Sequence, residues 1–186
     1  MRKHLIALFA VLLLAGAAAA AEVHEPALAP GACPLCAPIE VFFSPNGGIT
    51  SVIVREIGNA KFSIHVQAYG FTSAPIAGAL AAASARGVQV HIILDRSNMT
   101  NRYSAADYFR NHGITPLIDS MHAIAHNKIM IFDGQTVLTG SFNFTQAAEH
   151  SNAENIVILR DKGIAAKYLA NWTMHAGHSV PYAGRE

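Results

Sequence analysis

Apolar and polar positions recur along the chain with two different periods, and these periods predict the secondary structure. A two-residue period is typical of strands, whereas apolar residues spaced three or four apart are typical of helices. The predicted strands are residues 39–44, 62–69, 88–94, 114–118, 125–132, 136–139 and 155–159. The predicted helices are residues 49–59, 75–86, 105–112 and 164–175.

The order of these elements predicts the fold class. Strands separated by helices favour a sheet covered on both faces, because each helix buries its apolar side against the sheet. Residues 125–132 and 136–139 flank Asp133-Gly134, a strong signal for a tight β-hairpin. We therefore expect an α/β fold, with a mixed β-sheet flanked by helices on both faces and one antiparallel hairpin added to it.

The first 38 residues predict two segments ahead of the folded domain. Residues 1–21 combine basic residues, an apolar run and small residues, as in a secretory signal peptide. An uncleaved anchor is the alternative, although the apolar run is at the short limit for spanning a bilayer. We expect cleavage after Ala21, a periplasmic or secreted product, and no stable membrane association. Residues 22–38 contain four prolines and predict an extended arm, which leaves residues 39–186 as the domain.

Both cysteines of the chain, Cys33 and Cys36, lie in this arm. In an oxidising compartment a CxxC pair favours a local disulfide. A redox site is less favoured, because no strand-helix pattern of the thioredoxin type surrounds the pair. A structural zinc site would need further ligands, and there is no second CxxC.

The charge of the chain constrains how it could bind an anion. It has 13 Lys and Arg residues against 12 Asp and Glu residues, and loss of Arg2 and Lys3 with the signal would leave 11 against 12. A mature charge of −1 means that an anionic substrate must be bound by local positive groups. This weakens, without excluding, a nucleic-acid ligand.

The stretch HNKIMIFDGQTVLTGSFN, residues 126–143, is the strongest candidate for chemistry. Side chains at i and i+2 of a strand share a face, so His126 and Lys128 could both reach one phosphate. The following residues, IMIF, are apolar on both faces and predict an interior strand with its polar groups near one end. Such strand ends are where α/β folds commonly place ligands.

The turn at Asp133 returns the chain, so Gly140, Ser141 and Asn143 should lie beside the first strand. Gly140 lets the backbone approach closely, while Ser141 and Asn143 supply neutral hydrogen-bonding groups. Each residue of the stretch has an ordinary structural explanation when taken alone. Together they match H-x-K-x4-D-x6-G-S-x-N, which is too specific for coincidence at ordinary residue usage.

This stretch resembles the HKD motif of the phospholipase D superfamily. From about residue 39 onward the chain is similar to the small bacterial secreted or periplasmic endonucleases of that superfamily, the Nuc branch. The resemblance implies a phospholipase D-like sandwich with His126, Lys128, Asn143 and Ser141 in the catalytic site. It also implies that Glu154, in the segment AEN, orients the histidine as an acidic residue does in relatives.

Larger relatives carry two such motifs, whereas this chain carries one. Single-motif relatives form symmetric homodimers with the active site at the interface, as a two-fold contact permits. The resemblance therefore implies two His126 side chains in one site, one attacking phosphorus and the other protonating the leaving oxygen. Lys128 and Asn143 would stabilise charge on the phosphate, and Ser141 would anchor the loop or contact phosphate. Asp133 is assigned to structure, and no metal or other cofactor is expected.

Other polar residues are weaker candidates. Arg96 and Arg102 follow a predicted strand and could contact a nucleic-acid backbone, or could lie in an ordinary solvated loop. Tyr69 could stack on bases, but core packing is the better interpretation. His122, although four residues before His126, is not expected to ligate a metal. His175 and His178 are expected to decorate a helix end.

These observations together predict a metal-independent phosphodiesterase that cuts DNA or RNA with little sequence preference. One alternative is a phospholipase D acting on lipid head groups, which the short chain and the lack of a basic amphipathic helix weaken. Another is a nucleic-acid-binding protein without turnover, for which an intact His126 would not be needed.

Overall fold

The computed structural model describes residues 39–185, which form one mixed sheet with helices on both faces. The strands are β1 (Ile39–Ser44), β2 (Ser63–Ala68), β3 (Gln89–Asp95), β4 (Leu117–Asp119), β5 (Lys128–Phe132), β6 (Thr136–Gly140), β7 (Glu154–Leu159) and β8 (Val180–Pro181). The helices are α1 (Ile49–Asn59), α2 (Ala74–Ala85), α3 (Ala106–Asn111), α4 (Gln146–His150) and α5 (Lys162–His178), with a short 3₁₀ helix at Arg96–Met99. The predicted fold class is confirmed.

The strands lie in the order β1-β7-β6-β5-β2-β3-β4-β8. Five of the seven strand pairs are antiparallel, and only β2–β3 and β3–β4 are parallel. The expectation of a single antiparallel hairpin was therefore too narrow. Hydrophobic periodicity identifies strands, but it does not say on which side of the sheet each connection returns.

Two apolar layers explain why β5 is hydrophobic at every position after its first residue. Met130 and Phe132 pack into the layer beneath α1 and α2. Ile129 and Ile131 face the other layer, which α5 covers with Trp172. Successive side chains of a strand point to opposite faces, so a strand between two helical layers must be apolar on both. This places β5 in the interior of the sheet.

The predicted hairpin joins β5 to β6 through three residues, Asp133, Gly134 and Gln135, and the Gln135 N–H donates to Phe132 O at 2.9 Å. The φ angles of Asp133 and Gly134 are 53° and 61°, so both residues adopt the left-handed conformation. A β-turn with two central residues in this conformation matches the twist of the flanking strands, and Asp-Gly is one of the few pairs that adopt it without large strain. The local sequence therefore sets the register of the two strands that carry the motif.

Several predicted boundaries were wrong by a few residues. The strand at 125–132 begins only at Lys128, so His126 precedes it, and Phe62 lies outside β2 and is 71% exposed. Helix α5 extends to His178 instead of ending at His175. Helix α4, the 3₁₀ helix and β8 were not predicted, because elements of two to five residues are too short to show a period.

The predicted signal peptide, the arm at residues 22–38 and the Cys33–Cys36 disulfide lie outside the described residues and stay predictions. Among residues 39–185, no helix is long and apolar enough to cross a membrane.

Candidate active site

The predicted site residues meet at one edge of the sheet. Lys128 begins β5, Gly140 ends β6 and Glu154 begins β7. Because β6 is antiparallel to both neighbours, the start of β5, the end of β6 and the start of β7 lie side by side. His126 lies two residues before β5, and Asn143 lies in the loop that follows β6.

An open cavity of about 380 Å³ lies at this edge. Its lining consists of His126, Lys128, Gly140, Ser141, Asn143 and Glu154. Apart from the glycine, every one of these side chains is polar or charged. The structure therefore brings together all five side chains predicted to be catalytic, although they are spread over 29 positions of the chain (154 − 126 + 1).

A larger cavity, of about 500 Å³, contains Glu149 but offers no comparable chemistry. The Glu149 carboxylate accepts hydrogen bonds from the backbone N–H groups of Gly48 (2.9 Å) and Thr50 (2.7 Å). It thereby caps the start of α1, which has no side-chain cap of its own. Both carboxylate oxygens of Glu149 are therefore used in capping α1. The cavity of about 380 Å³ that contains His126 is the better candidate for catalysis.

Lys128 is a buried cation within the candidate site, with 6% of its surface exposed. Its Nζ donates a hydrogen bond to the backbone oxygen of His126 at 2.8 Å, and lies 5.3 Å from the centre of the Tyr69 ring. Burial lowers the pKa of Lys128, and the nearby Glu154 carboxylate opposes that shift only in part. The ammonium group is thus held close to the histidine in an environment that solvates it poorly.

Tyr69 contacts both motif residues. Its ring centre lies 4.8 Å from that of the exposed His126, with the planes tilted by 52°. Its backbone N–H donates to Asn127 O at 3.0 Å, which ties the end of β2 to the segment entering β5. The expectation that Tyr69 belongs to the core was wrong, because this residue lies just past the end of β2, at the rim of the sheet.

Asp95 supports the same segment and was not predicted. This residue ends β3, is 3% exposed, and accepts a hydrogen bond from the backbone N–H of Ala125 at 2.8 Å. Asn98, also buried, donates to Tyr69 O at 2.7 Å. An aspartate directly after the apolar run IIL was the available signal in the sequence, since polar residues at such strand ends often contribute to a ligand site.

Gly140 and Ser141 attach the loop after β6 to β7. A Cβ atom on Gly140 would lie 2.1 Å from the backbone oxygen of Asn155, so only glycine fits there. Ser141 donates its N–H to Asn155 O and accepts the Asn155 N–H with its Oγ, each at 3.1 Å. Ser141 therefore anchors the loop, which is one of the two roles considered for it.

Asn143 and Glu154 complete the cavity. The Oδ1 atom of Asn143 is buried and has no hydrogen-bond partner within residues 39–185. Glu154 accepts a hydrogen bond from Asn152 at 3.0 Å, and no hydrogen bond of the described chain joins it to His126. Its proposed role in orienting the histidine stays a prediction.

Asp133 lies at the opposite end of β5 from the cavity. Its carboxylate accepts three backbone hydrogen bonds of 2.8–2.9 Å, from Lys61, Phe62 and Ser63. Burial would raise the pKa of Asp133, but these hydrogen bonds outweigh it and the pKa is lowered. The contacts agree with the structural role assigned to it.

Arg96 and Arg102 lie after β3 and do not line the cavity. Because β2 is parallel to β3 and antiparallel to β5, the end of β3 points to the edge that carries the site. Arg96 is exposed and donates to Ala123 O at 3.2 Å, and the guanidinium of the exposed Arg102 lies 4.8 Å from the Tyr103 ring centre. Their predicted substrate contacts remain predictions.

His175 and His178 do not merely decorate a helix end. Together with His122 they surround Asp119, a fully buried carboxylate at the end of β4. Burial would raise the pKa of Asp119, but hydrogen bonds from His175, His122 and His178 lower it well below its usual range. Spacing along the chain could not reveal this cluster, because its members come from separate segments.

Comparison with known proteins adds a family context to this geometry. A family model described as "Cardiolipin synthase, PLD-like domain" matches residues 53–175. A protein named phospholipase D from Rickettsia conorii is 46% identical over 134 residues, which cover 72% of this chain and 67% of that protein. A mitochondrial cardiolipin hydrolase from Chlamydomonas reinhardtii is 32% identical over 112 residues, covering 60% of this chain and 50% of the hydrolase.

Among solved structures, the crystal structure of Nuc, a phospholipase D family member from Salmonella typhimurium, is similar in both sequence and fold. It is 39% identical and superimposes with a TM-score of 0.75, covering 80% of this chain and 99% of Nuc.

Proposed function

The chain belongs to the phospholipase D superfamily and is a phosphodiesterase of that superfamily, and we propose that its substrate is DNA, which it cleaves with little sequence preference. The observation that carries this proposal is the cavity in which His126, Lys128, Asn143 and Glu154 meet. It offers a nucleophile, a cation and neutral hydrogen-bonding groups to a single phosphate.

In the first step, one imidazole nitrogen of His126 attacks phosphorus and a P–N bond forms. The P–O bond to the leaving nucleotide breaks, and His126 of the partner subunit gives its proton to the leaving oxygen. Lys128 and Asn143 stabilise the charge that gathers on the non-bridging oxygens.

In the second step, water attacks the phosphohistidine. His126 of the partner subunit, now neutral, takes a proton from that water, the P–N bond breaks, and the phosphate-bearing product leaves. The cycle restores both histidines and needs one neutral and one protonated imidazole at its start. Histidine is the side chain best suited to both roles, because an imidazole can act as either an acid or a base in this pH range.

This mechanism needs a homodimer, since one chain supplies one motif. Four large apolar side chains support an interface beside the site, and all of them lie in the segments that follow β3 and β4, at the sheet edge that carries the cavity. They are Met99 (49% exposed), Tyr103 (69%), Met121 (69%) and Ile124 (55%). Burying such side chains against a second copy would bring two His126 residues together by two-fold symmetry.

DNA is favoured over a lipid head group by two observations. The cavity lining contains no apolar side chain that could hold an acyl chain, and the exposed Arg96 and Arg102 flank the same edge. Exposed arginines beside a phosphate site suit a substrate that has further phosphates on either side. The predicted export of the chain would let it meet DNA in the periplasm or outside the cell.

A phospholipase activity is the second candidate, because the Rickettsia conorii relative that is 46% identical is named phospholipase D. The same histidine chemistry would cleave a phospholipid at its head group. The two substrates differ in what surrounds the phosphate, so assays of the same protein on each substrate separate the candidates.

The deciding experiment incubates the protein with supercoiled plasmid DNA in excess EDTA, with His126→Ala prepared in parallel. We expect the parent to cut and His126→Ala to be slower by about 10⁴-fold or more, since it lacks the nucleophile. The variant should still bind DNA, because the arginines and Lys128 remain.

The same two proteins are then assayed on phospholipid vesicles. Hydrolysis of lipid by the parent, with DNA left intact, would replace the nuclease by the phospholipase. Equal cutting of DNA by the parent and the variant would refute the role of His126.

A further inference from the structure

Four side chains away from the motif converge on one point. The ligand atoms of Asp119, His122, His175 and His178 all lie within 4.8 Å of one another. His175 Nδ1 lies 2.7 Å from Asp119 Oδ2, His122 Nδ1 lies 3.2 Å from it, and His178 Nε2 lies 3.3 Å from it. The mechanism described above uses none of these groups.

Hydrogen bonding alone accounts poorly for this arrangement. An ionised carboxylate oxygen has about two lone-pair positions, yet three ring nitrogens are directed at Asp119 Oδ2. Asp119 Oδ1 is also engaged, because it accepts the backbone N–H of Met121 at 3.1 Å. A cation at the centre of the cluster would instead take one lone pair from each of the four groups.

We propose that Asp119, His122, His175 and His178 bind a structural divalent transition-metal ion, with zinc as the ion that fits best. Three imidazoles and one carboxylate form the nitrogen-rich tetrahedral set that zinc prefers, whereas calcium and magnesium prefer oxygen ligands. Zinc–nitrogen bonds of about 2.0–2.1 Å require ligand atoms roughly 3.3 Å apart in a tetrahedron. The observed spread of up to 4.8 Å needs the most distant pair of ligand atoms to approach by about 1.5 Å, which rotation of the histidine side chains can supply.

The burial of the ligands favours a structural site over a catalytic one. Asp119 is fully buried, His175 is 8% exposed, and the side chain of His178 is 17% exposed. His122, with 43% of its side chain exposed, is the ligand through which an ion can enter. With four protein ligands a tetrahedral ion has no open position for a substrate, so it would stabilise the fold instead of activating water.

The site would join three parts of the molecule that meet beside the active site. Asp119 ends β4, His122 lies in the loop that leads to His126, and His175 and His178 lie in the last turns of α5. Arg96 already holds this loop at Ala123 O and Asp95 holds it at Ala125 N–H. A bound ion would fix the start of this loop at Asp119 and His122. The whole loop, from residue 119 to the catalytic His126, would then be fixed in place.

The test measures bound metal in the protein made from the full chain and purified without chelators. After equilibration with Zn²⁺ and removal of free ion, elemental analysis should find about one zinc per chain. His122→Ala and His178→Ala should each lose most of that zinc. His150→Ala is the matched control, because His150 is exposed and contacts Asn46 instead, and it should retain the metal.

Thermal unfolding gives a second readout that does not depend on activity. Zn²⁺ added to the metal-free protein should raise its midpoint by about 5 °C or more, as expected for a ligand that binds only the folded state. The His150→Ala control should respond equally, and His122→Ala should not respond. Because His122 is exposed, its replacement should leave the fold intact, which the midpoint of the metal-free variant will show.

Two results would overturn the assignment. If the parent binds no zinc and its midpoint does not move, the cluster is a hydrogen-bonded carboxylate with three histidines. If zinc persists in both histidine variants, the ion is bound elsewhere, for example at Cys33 and Cys36. Neither result bears on the nuclease proposal, which is tested by His126→Ala on DNA.

Discussion

Lys128 is a single residue of the candidate site whose buried charge lowers the stability of the folded protein. The ammonium group is 6% exposed, and burial lowers its pKa. A lowered pKa for a lysine means that folding disfavours its charged form, so the cost is present below the folded pKa and disappears only above the unfolded value near 10.5. At neutral pH the protein bears that cost to keep a cation where a phosphate would bind.

Lys128→Met should therefore make the protein more stable and less active. We expect the free energy of unfolding to rise by about 1 kcal/mol, because an apolar chain of similar length replaces a poorly solvated charge. DNA cleavage should fall by at least about 10²-fold, since one stabiliser of the transition-state charge is lost. Urea denaturation and plasmid cleavage measure the two effects.

The control for Lys128→Met is Lys167→Met, which changes an exposed lysine on α5. Lys167→Met should change neither the free energy of unfolding nor the rate of DNA cleavage. A Lys128→Met protein that is both less stable and fully active would contradict the account of the buried cation.

At the scale of elements, the β5–β6 hairpin carries the motif, and Asp133 attaches it to β2. The three backbone hydrogen bonds from residues 61–63 end on this one carboxylate. The aspartate of the motif thus stabilises the sheet, while His126 and Lys128, at the other end of β5, line the candidate active site.

Asp133→Ala should destabilise the fold by about 1–3 kcal/mol, because three backbone N–H groups lose a charged acceptor and a non-glycine residue must still adopt a positive φ. Activity per folded molecule, measured well below the melting temperature, should change by less than about threefold. Asp133→Asn keeps an acceptor and tolerates the left-handed conformation, so its loss should be smaller. A large loss of activity in folded Asp133→Asn would place Asp133 in the chemistry.

His65, on β2, is a titratable residue at the place where α5 packs on β2 and β3. The half-buried His65 ring lies 4.9 Å from that of His91 and 4.8 Å from that of Trp172. Burial, and to a lesser degree the nearby His91, lower the pKa of His65 to about 4. The unfolded chain binds this proton near pH 6.5 and the folded chain only near pH 4.

Stability contributed by neutral His65 is therefore complete above about pH 6.5 and is lost as the pH falls towards 4. Between pH 7 and pH 4 the free energy of unfolding of the parent should fall by about 1–3 kcal/mol more than that of His65→Gln, which cannot titrate. Urea unfolding of both proteins across this range measures the difference. Parallel pH profiles would show that His65 is solvated well enough to titrate normally.

At the scale of the whole molecule, the proposed site is complete only in a dimer. Mixing the parent with His126→Ala after subunit exchange should produce mixed dimers that have a single His126. In an equal mixture, random pairing leaves about a quarter of the dimers fully native, so activity should fall to about a quarter of that of undiluted parent at the same total concentration.

Light scattering should give the mass of two chains for both proteins in the mixing experiment. A mixture that retains half of the activity, as independent sites would, contradicts the shared site. A monomeric mass would contradict the dimer itself.

The sequence by itself determined the features that depend on neighbouring residues. The periods of apolar positions identified β1 and α1 at their observed bounds, Asp133-Gly134 identified the hairpin, and the spacing of His126 and Lys128 identified the motif. These inferences succeed because side-chain direction and turn conformation are set by the local backbone.

Only the tertiary structure decided which distant residues meet. It brought Tyr69 and Asp95 to the histidine segment and gathered Asp119, His122, His175 and His178 around one point. These contacts depend on the order of strands in the sheet and on where α5 packs, and neither is encoded in a local period. Asp119 and His175, for example, are 56 positions apart in the chain. The sequence around Asp119 therefore does not indicate that His175 is its partner.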